Sequence, residues 1–333
     1  MSLVGIIANP ASGKDIRRIV GNAITVDNQQ KLNITKRILV ALAGSGIDQI
    51  FIMPEQFGFG KRALSDLANR QDVQQAVKII DMPYENLAED TTLAAARMAQ
   101  AGADCIIVLG GDGTCRLVAK TAGNVPLLPI SSGTNNVVPQ FIEGTVAGLA
   151  AAYLSQQPAE ERASLCWQHK RLVIHVNGEE IEHALVDAAV INTPYVGSRA
   201  VWEPDLILQV FVTRANPAYI GISSIIGMVQ AIDPRQPQGA CVRTGGRQTV
   251  QTTILPGELV NVPIGEIQTM HPGKAVPVIT DRPVVLALDG EREIVLYTGD
   301  DASVTLQTDG PWLVDVDTIL RHALAEGRYL RKS

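Results

Sequence analysis

Five residues at 110–114, Gly-Gly-Asp-Gly-Thr, carry the clearest chemical signal in the sequence. They follow an apolar run at 105–109 that predicts a buried strand, and they precede a segment with helical periodicity. Glycines after a strand let the backbone turn tightly and approach a ligand closely. The unpaired N–H groups at the start of the next helix favour phosphate. The sequence therefore predicts a phosphate-binding turn formed by Gly110, Gly111, Gly113 and Thr114.

Asp112 is the unusual member of this turn. A carboxylate repels bound phosphate unless it binds a metal ion or accepts a proton from an attacking hydroxyl. In a simpler interpretation, Asp112 caps the following helix and has no further role. Because the motif directly follows a buried strand, we favour the functional interpretation.

Two other loops also follow predicted strands. Residues 9–14 follow the strand at 3–8, and residues 131–136 follow the strand at 127–130. Either loop alone is compatible with an ordinary turn. The carboxyl ends of parallel strands meet at one edge of a sheet, so we expect both loops to lie beside residues 110–114. The ligand-lining candidates are Asn9, Ser12, Gly13, Lys14, Ser132, Gly133, Thr134, Asn135 and Asn136.

Residues 288–291, Leu-Asp-Gly-Glu, are ambiguous. They lie between alternating apolar segments at 284–288 and 291–297, where Asp-Gly supplies the positive φ angles of a type I′ hairpin turn. Asn177-Gly178 makes the same turn signal between the segments at 173–176 and 179–190. The spacing alone therefore favours a plain turn over a functional one.

The order of these segments predicts two domains and a terminal helix. Strands alternate with helices over residues 1–155, which is typical of a parallel α/β sheet. A linker is expected at 156–162, and short alternating segments over 165–310 predict an all-β domain. Residues 311–333 form the third segment. Helical periodicity from 316 to 330 predicts a terminal helix, which we expect to pack back on the first domain.

Composition excludes several classes of protein. The 333 residues include 28 Lys and Arg against 34 Asp and Glu, for a net charge of −6. The absence of a basic stripe argues against nucleic acid and against a membrane surface. Four dispersed cysteines without histidine at ligand spacing fit a reducing compartment and argue against a zinc site. With no long apolar span or signal peptide, we expect a cytoplasmic protein that binds small molecules.

The three motifs together resemble the NAD kinase and diacylglycerol kinase superfamily. Asn-Pro-x-Ser-Gly-Lys at 9–14, Gly-Gly-Asp-Gly-Thr at 110–114 and Leu-Asp-Gly-Glu at 288–291 occur in the order and spacing of that superfamily. The longer pattern at 9–18, with residues 27–28, 33–34 and 132–136, is most similar to its ATP-NAD kinase-like branch called acetoin catabolism protein X.

The resemblance implies a Rossmann-like parallel α/β domain, a C-terminal β-sandwich-like domain and a nucleotide cleft between them. It also implies phosphoryl transfer from ATP with Mg²⁺, the metal being held through the phosphates and not by fixed protein ligands. Asp112 would then act as the base for the 2′-hydroxyl of NAD, giving NADP, and Asp289 and Glu291 would face the ligand. Dimers formed through the β domain are common in the superfamily.

One departure leaves the acceptor open. NAD kinases carry an Asn-Glu or Asn-Asp pair at the start of a second-domain strand, whereas this chain has Val186-Asp187. Asp187 is therefore a candidate contact for the phosphate acceptor or for a metal ion, although the asparagine that precedes this acid in NAD kinases is missing. NAD is the first-choice acceptor; a lipid kinase and a non-catalytic nucleotide-binding regulator linked to acetoin catabolism are the alternatives.

Overall fold

A computed structural model describes residues 1–12, 26–133, 135–196, 201 and 203–330 of the chain. Its first sheet is built from strands β1 (Leu3–Ala8), β2 (Gln49–Ile52), β3 (Val77–Ile79), β4 (Cys105–Gly110), β5 (Leu127–Ser131), β6 (Cys166–Gln168) and β18 (Trp312–Val314). The order across the sheet is β3-β2-β1-β4-β5-β18-β6. Every pair is parallel except the one between β18 and β6.

Helices cover both faces of this sheet. They are α1 (Asn28–Gly44), α2 (Phe59–Asp66), α3 (Gln71–Ala76), α4 (Ala88–Gln100), α5 (Asp112–Ala119) and α6 (Gly144–Gln156). Alternate residues of β1 enter different apolar clusters: Val4 and Ile6 belong to one, and Leu3 and Ile7 belong to the other. A strand buried on both faces reads as a continuous apolar run, which is why the sequence pattern predicted it.

The second region consists of two antiparallel sheets. The smaller, in the order β14-β17-β7-β8, contains β7 (Arg171–Val176), β8 (Glu179–Ala184), β14 (Ala275–Pro277) and β17 (Ala302–Gln307). The larger contains β9 (Asp187–Ile191), β10 (Ile207–Val212), β11 (Gly239–Thr252), β12 (Val260–Ile264), β13 (Gln268–Met270), β15 (Val284–Leu288) and β16 (Glu291–Leu296). Its order is β12-β11-β10-β9-β15-β16, with β13 paired to β11.

An apolar core lies between these two sheets. Leu172 and Val304 of the smaller sheet share a buried cluster with Phe211 and Leu286 of the larger one. Two antiparallel sheets packed face to face through such a core form a sandwich. The predicted fold class, a parallel α/β domain with a β-sandwich-like domain, is therefore confirmed.

The chain crosses between the two regions more than once. Strands β6 and β18, both from beyond residue 165, complete the first sheet. Helix α9 (Val316–Ala325) follows β18, and its Ile319 and Ala323 belong to the cluster that contains α1 and α6. Part of the predicted linker is instead helix α7 (Ala159–Ser164), whose first turn carries Glu160 and Glu161, acidic residues that favour a helix start.

Two short helical segments complete the second region: a 3₁₀ turn at Pro204–Leu206 and α8 (Ser224–Gly227). Within the described ranges, no helix combines the length and apolar character that crossing a bilayer demands.

Candidate active site

Strand β4 and helix α5 place Asp112 at the carboxyl edge of the first sheet. The N-cap of α5 is Gly111, and no side chain caps this helix, so the interpretation of Asp112 as a plain cap is wrong. Its carboxylate instead accepts hydrogen bonds from the N–H groups of Val137 and Val138, at 2.9 and 2.8 Å. Asp112 therefore ties α5 to the segment that follows β5.

The glycines of the motif provide space for neighbouring side chains. A Cβ atom on Gly110 would lie 2.6 Å from Cβ of Thr114, and one on Gly111 would lie 2.8 Å from Oδ1 of Asn136. None of the three glycines has a positive φ angle. The turn therefore needs no left-handed glycine, and the absence of a Cβ at Gly110 and Gly111 permits close packing of Thr114 and Asn136. The predicted close approach to a ligand remains a prediction.

Side-chain hydrogen bonds join the ends of the three central strands. Asn9 Nδ2 donates to Thr114 Oγ1 at 3.0 Å, which links β1 to α5. The hydroxyls of Ser12 and Ser132 lie 2.8 Å apart, which links the loops after β1 and β5. Asn136 holds the latter loop by donating to the Gly133 carbonyl oxygen at 3.2 Å.

The structure thus brings Asn9, Ser12, residues 110–114, Ser132, Gly133 and Asn136 to one edge. Asn135 lies in the same loop and lines the adjacent pocket. Gly13, Lys14 and Thr134 lie outside the described residues. Their placement in this site remains a prediction.

Lys31 of α1 holds the loop after β1 in place and was not identified from the sequence. Its side chain is fully buried, and Nζ donates to the carbonyl oxygens of Asn9 and Ser12 at 3.0 and 2.8 Å. A third bond reaches Ser12 Oγ at 2.9 Å. Its spacing could have indicated that it is buried, because Lys31 lies on the same face of α1 as the buried residues Thr35 and Ile38.

The Asp-Gly turn of the second region contributes Asp289. Asp289 and Gly290 have φ angles of 50° and 79°, as the hairpin prediction requires. The buried carboxylate accepts N–H groups from Leu185, Val186 and Asp187, at 3.1, 2.7 and 3.4 Å. The turn is therefore both a hairpin turn and a wall of the site, so the plain-turn interpretation was incomplete.

The other predicted residues of this region lie beside the first motif. A Cβ on Gly113 would lie 3.9 Å from the Glu291 carboxyl, so β16 begins against the start of α5. Asp187, the first residue of β9, is buried and lines the same pocket as Asp112 and Asp289.

The pocket between the regions is small and acidic. Its polar lining comes from Asp112, Asn135, Asp187 and Asp289, and its apolar lining from Val137, Val201, Ile220, Ile222 and Ile254. Its cavity volume is about 20 Å³, which is enough for about one water molecule. As it stands, the pocket is too small for a ligand much larger than water. In the described part of the chain, no three acidic, histidine or cysteine side chains are placed to hold a metal ion.

Burial sets the protonation of the two central carboxyls. Burial, together with the charge of Asp289, raises the pKa of Asp112 to about 7, against the opposing effects of the Val138 and Val137 N–H groups and of Arg214. Burial also raises the pKa of Asp289, against the opposing effects of Arg116 and three N–H groups. A carboxyl with a pKa near 7 is suited to accept a proton at neutral pH.

Two buried arginines near these carboxyls were missed by sequence reasoning. Arg214 follows β10 and donates to the Tyr219 hydroxyl at 3.1 Å through Nε. No spacing signal marks it, because it approaches Asp112 only through tertiary structure. Arg116 contacts Asp289. It lies four residues after Asp112 and therefore on the same face of α5, and this spacing could have identified it from the sequence.

Two protein-family models match most of the chain. The family model for the ATP-NAD kinase N-terminal domain matches residues 4–157, and the model for the acetoin catabolism protein X C-terminal domain matches residues 170–309. Two solved structures of a protein assigned as a diacylglycerol kinase from Bacillus anthracis str. Sterne are similar, with TM-scores of 0.47 and 0.48. Each is 11% identical and covers 94% of this chain and 97% of that chain.

The chain therefore carries an NAD kinase-like domain at residues 4–157, which include the Gly-Gly-Asp-Gly-Thr edge of the parallel sheet. It is 37% identical to acetoin catabolism protein X of Cupriavidus necator over 335 residues, covering 96% of this chain and 92% of that protein. The chain belongs to the acetoin catabolism protein X family. The resemblance found in the sequence is thereby confirmed.

Proposed function

We propose that this protein is a kinase that transfers the γ-phosphoryl group of MgATP to a hydroxyl group, with Asp112 as the general base. The observation that carries the proposal is the Asp112 carboxyl itself. It is buried at the start of α5, its pKa is raised to about 7, and it faces the pocket between the two regions.

The phosphate site is assigned to the sheet edge. The N-terminus of α5 presents N–H groups and a partial positive charge to an anion. The loops after β1 and β5 lie on either side of it, joined by the Ser12–Ser132 contact. The hydrogen bond from Asn9 to Thr114 holds the loop after β1 against the start of α5. We propose that these residues bind the phosphates of the donor together with Gly110, Gly111, Gly113, Gly13 and Lys14.

In the proposed reaction, Asp112 accepts the proton of the acceptor hydroxyl. The oxygen of that hydroxyl forms the new bond to the γ-phosphorus at the same time. The bond from that phosphorus to the β,γ-bridging oxygen breaks, and ADP leaves. Mg²⁺ enters with ATP and offsets charge on the phosphates. In this proposal the phosphates hold the ion, since no three acidic, histidine or cysteine side chains among the described residues are placed to hold a metal.

NAD is the acceptor that we propose first. The match of residues 4–157 to the ATP-NAD kinase domain supports it, and so does the buried Asp187 at the start of β9. Val186 stands where an asparagine is expected beside that acid. Since the pocket holds about one water molecule, NAD must enter an opened form of the cleft.

The test is NADP formation by the purified protein with MgATP and NAD. Asp112→Asn should lower turnover by about 100-fold or more, as loss of a general base does. Asp72→Asn is the matched control, because Asp72 lies on α3, is not part of the pocket lining and forms an ion pair with Arg70. An Asp112→Asn protein with full turnover would refute the base assignment. ATP binding without transfer to NAD, to other alcohols or to diacylglycerol would support the regulator.

A further inference from the structure

Arg116 is a buried charge that connects the two regions. It lies on α5 one turn after Asp112 and is 3% exposed. Its guanidinium is surrounded by three carboxylates of the second region: Nη2 bonds Glu293, Nε lies 3.4 Å from Asp289 Oδ2, and Nη1 lies 3.6 Å from Glu182 Oε2. One side chain thus contacts the Asp-Gly turn and two strands across the domain boundary.

A plain packing role does not explain this residue. Burying a guanidinium is costly, and an apolar side chain of similar volume often stabilises an interface as well or better. Burial lowers the pKa of Arg116, yet Asp289, Glu293 and Glu182 together outweigh it and hold that pKa above its ordinary value. Nε and Nη1 make no hydrogen bond to the described residues, so their contacts there are electrostatic.

The contact with Asp289 is the one that reaches the site. Asp289 lines the pocket with Asp112, and its carboxylate is held by the N–H groups of residues 185–187 and by Arg116. Because Arg116 and Asp112 share a helix, the position of Arg116 fixes the distance between α5 and the Asp-Gly turn. Without Arg116, Asp289 would be a buried carboxylate with no counter-ion on that side among the described residues.

We propose that Arg116 is a positioning residue that holds the Asp289 turn of the second region against the helix that carries Asp112. The inference rests on the proposed kinase function. Arg116 does not touch substrate; it acts through Asp289, which faces the base across the pocket.

The test compares Arg116→Met, Arg116→Lys, Asp289→Asn and the double variant Arg116→Met/Asp289→Asn. Kinetic constants kcat and KM for ATP are measured, because a misplaced reacting group lowers kcat with little effect on binding of the donor. Arg116→Met should lower kcat by about 10- to 100-fold and leave KM for ATP within about threefold. Arg116→Lys, which keeps the charge, should restore part of kcat.

Lys120→Met is the matched control. Lys120 lies at the end of the same helix and bonds Glu182 at 2.5 Å, but it does not contact Asp289. We expect kcat of this variant to equal that of the wild type. An equal loss in Lys120→Met, or an unchanged kcat in Arg116→Met, would refute the positioning role.

The double variant decides whether Arg116 acts through Asp289. If it does, the double variant is no slower than the slower single variant, because removal of either partner already loses the contact. Multiplied losses would mean that the two residues act separately and would overturn the proposal. Should Arg116→Met fail to fold, the double variant and Arg116→Lys still provide the comparison, since neither leaves Asp289 as an unpaired charge.

Failure of the kinase assignment has a different signature. A wild-type protein that transfers phosphate to no acceptor would refute the proposed function. The contact is then measured by denaturant midpoints of the wild type, Arg116→Met, Asp289→Asn and the double variant. Non-additive shifts are expected for residues in direct contact, and additive shifts would refute the contact itself.

Discussion

Asp112 and Asp289 face one pocket from opposite regions of the chain, and each carboxylate is held by backbone N–H groups of its own region. Val137 and Val138 donate to Asp112, and residues 185–187 donate to Asp289. Their surroundings differ in the cation nearby: Arg116 opposes the rise in the pKa of Asp289, whereas Arg214 opposes that of Asp112. This difference in environment divides the roles of two otherwise similar acids.

The stability of the protein should depend on pH through Asp112. Its pKa rises from 3.8 to about 7 on burial, so the folded chain binds a proton that the unfolded chain has lost. The stabilising contribution of this group is complete below pH 3.8 and disappears as the pH rises through 7. Asp112→Asn should therefore gain stability relative to the wild type, by at most about 1.4 kcal/mol per pH unit between those limits.

Denaturant unfolding at pH 5, 6, 7 and 8 measures that difference. We expect the advantage of Asp112→Asn to grow up to pH 7 and to level off above it. Parallel curves for the two proteins would contradict the raised pKa of Asp112.

The charge of Asp289 should be visible in the pH dependence of the reaction. It raises the pKa of Asp112, so Asp289→Asn should shift the acid limb of kcat/KM to lower pH. Glu180→Gln is the control, because Glu180 is an exposed residue of β8 paired with Arg171. An unshifted acid limb in Asp289→Asn would show that the two carboxyls do not interact.

Gly111 should not tolerate a side chain. A Cβ at this position would lie 2.8 Å from Asn136 Oδ1, so Gly111→Ala should displace the loop after β5 and raise KM for ATP by about 10-fold, since small displacements of binding groups have large kinetic effects. Gly44→Ala is the control, because a Cβ there meets no atom within 4 Å. Gly111→Ala/Asn136→Ala should recover part of the loss; equal KM values in all four proteins would contradict the packing argument.

Lys31 should support donor binding through the loop after β1. Lys31→Met removes the Nζ hydrogen bonds to the carbonyl oxygens of Asn9 and Ser12, although the Ser12 hydroxyl still donates to that of Asn9. We expect a cost of about 1–3 kcal/mol in unfolding free energy. We also expect weaker binding of ADP, measured by calorimetry. Lys36→Met, which removes a half-buried ion pair with Asp66 further along α1, should change neither quantity by a comparable amount. A loss of stability with unchanged ADP binding would restrict Lys31 to a structural role.

The sequence predicted the part of the site that local patterns encode. Strand β4 reads as a continuous apolar run because both faces are covered, and the motif that follows locates Asp112. The Asp-Gly signal predicted the turn at Asp289 because its positive φ angles are a local requirement. The pairing of Asp289 with Asp112 depends on how two domains pack, which no local pattern contains.

Charged residues in the interior were the main omissions. Lys31 and Arg116 lie on buried helix faces, where a sequence pattern is normally interpreted as apolar core with charges outside. Each is accommodated only because distant oxygens surround it: loop carbonyls for Lys31 and three carboxylates for Arg116. The short helix α7 in the predicted linker was missed because six residues give too little periodicity to detect.

The most direct test of the account is the pH dependence of phosphoryl transfer from MgATP to NAD by the wild type and by Asp112→Asn. If Asp112 is the base, kcat/KM of the wild type rises with pH and reaches a plateau above about 7, where the carboxylate is formed. The variant should be slower and lack this limb. The same limb at the same pH in both proteins would show that another group accepts the proton, and would contradict the central role of Asp112.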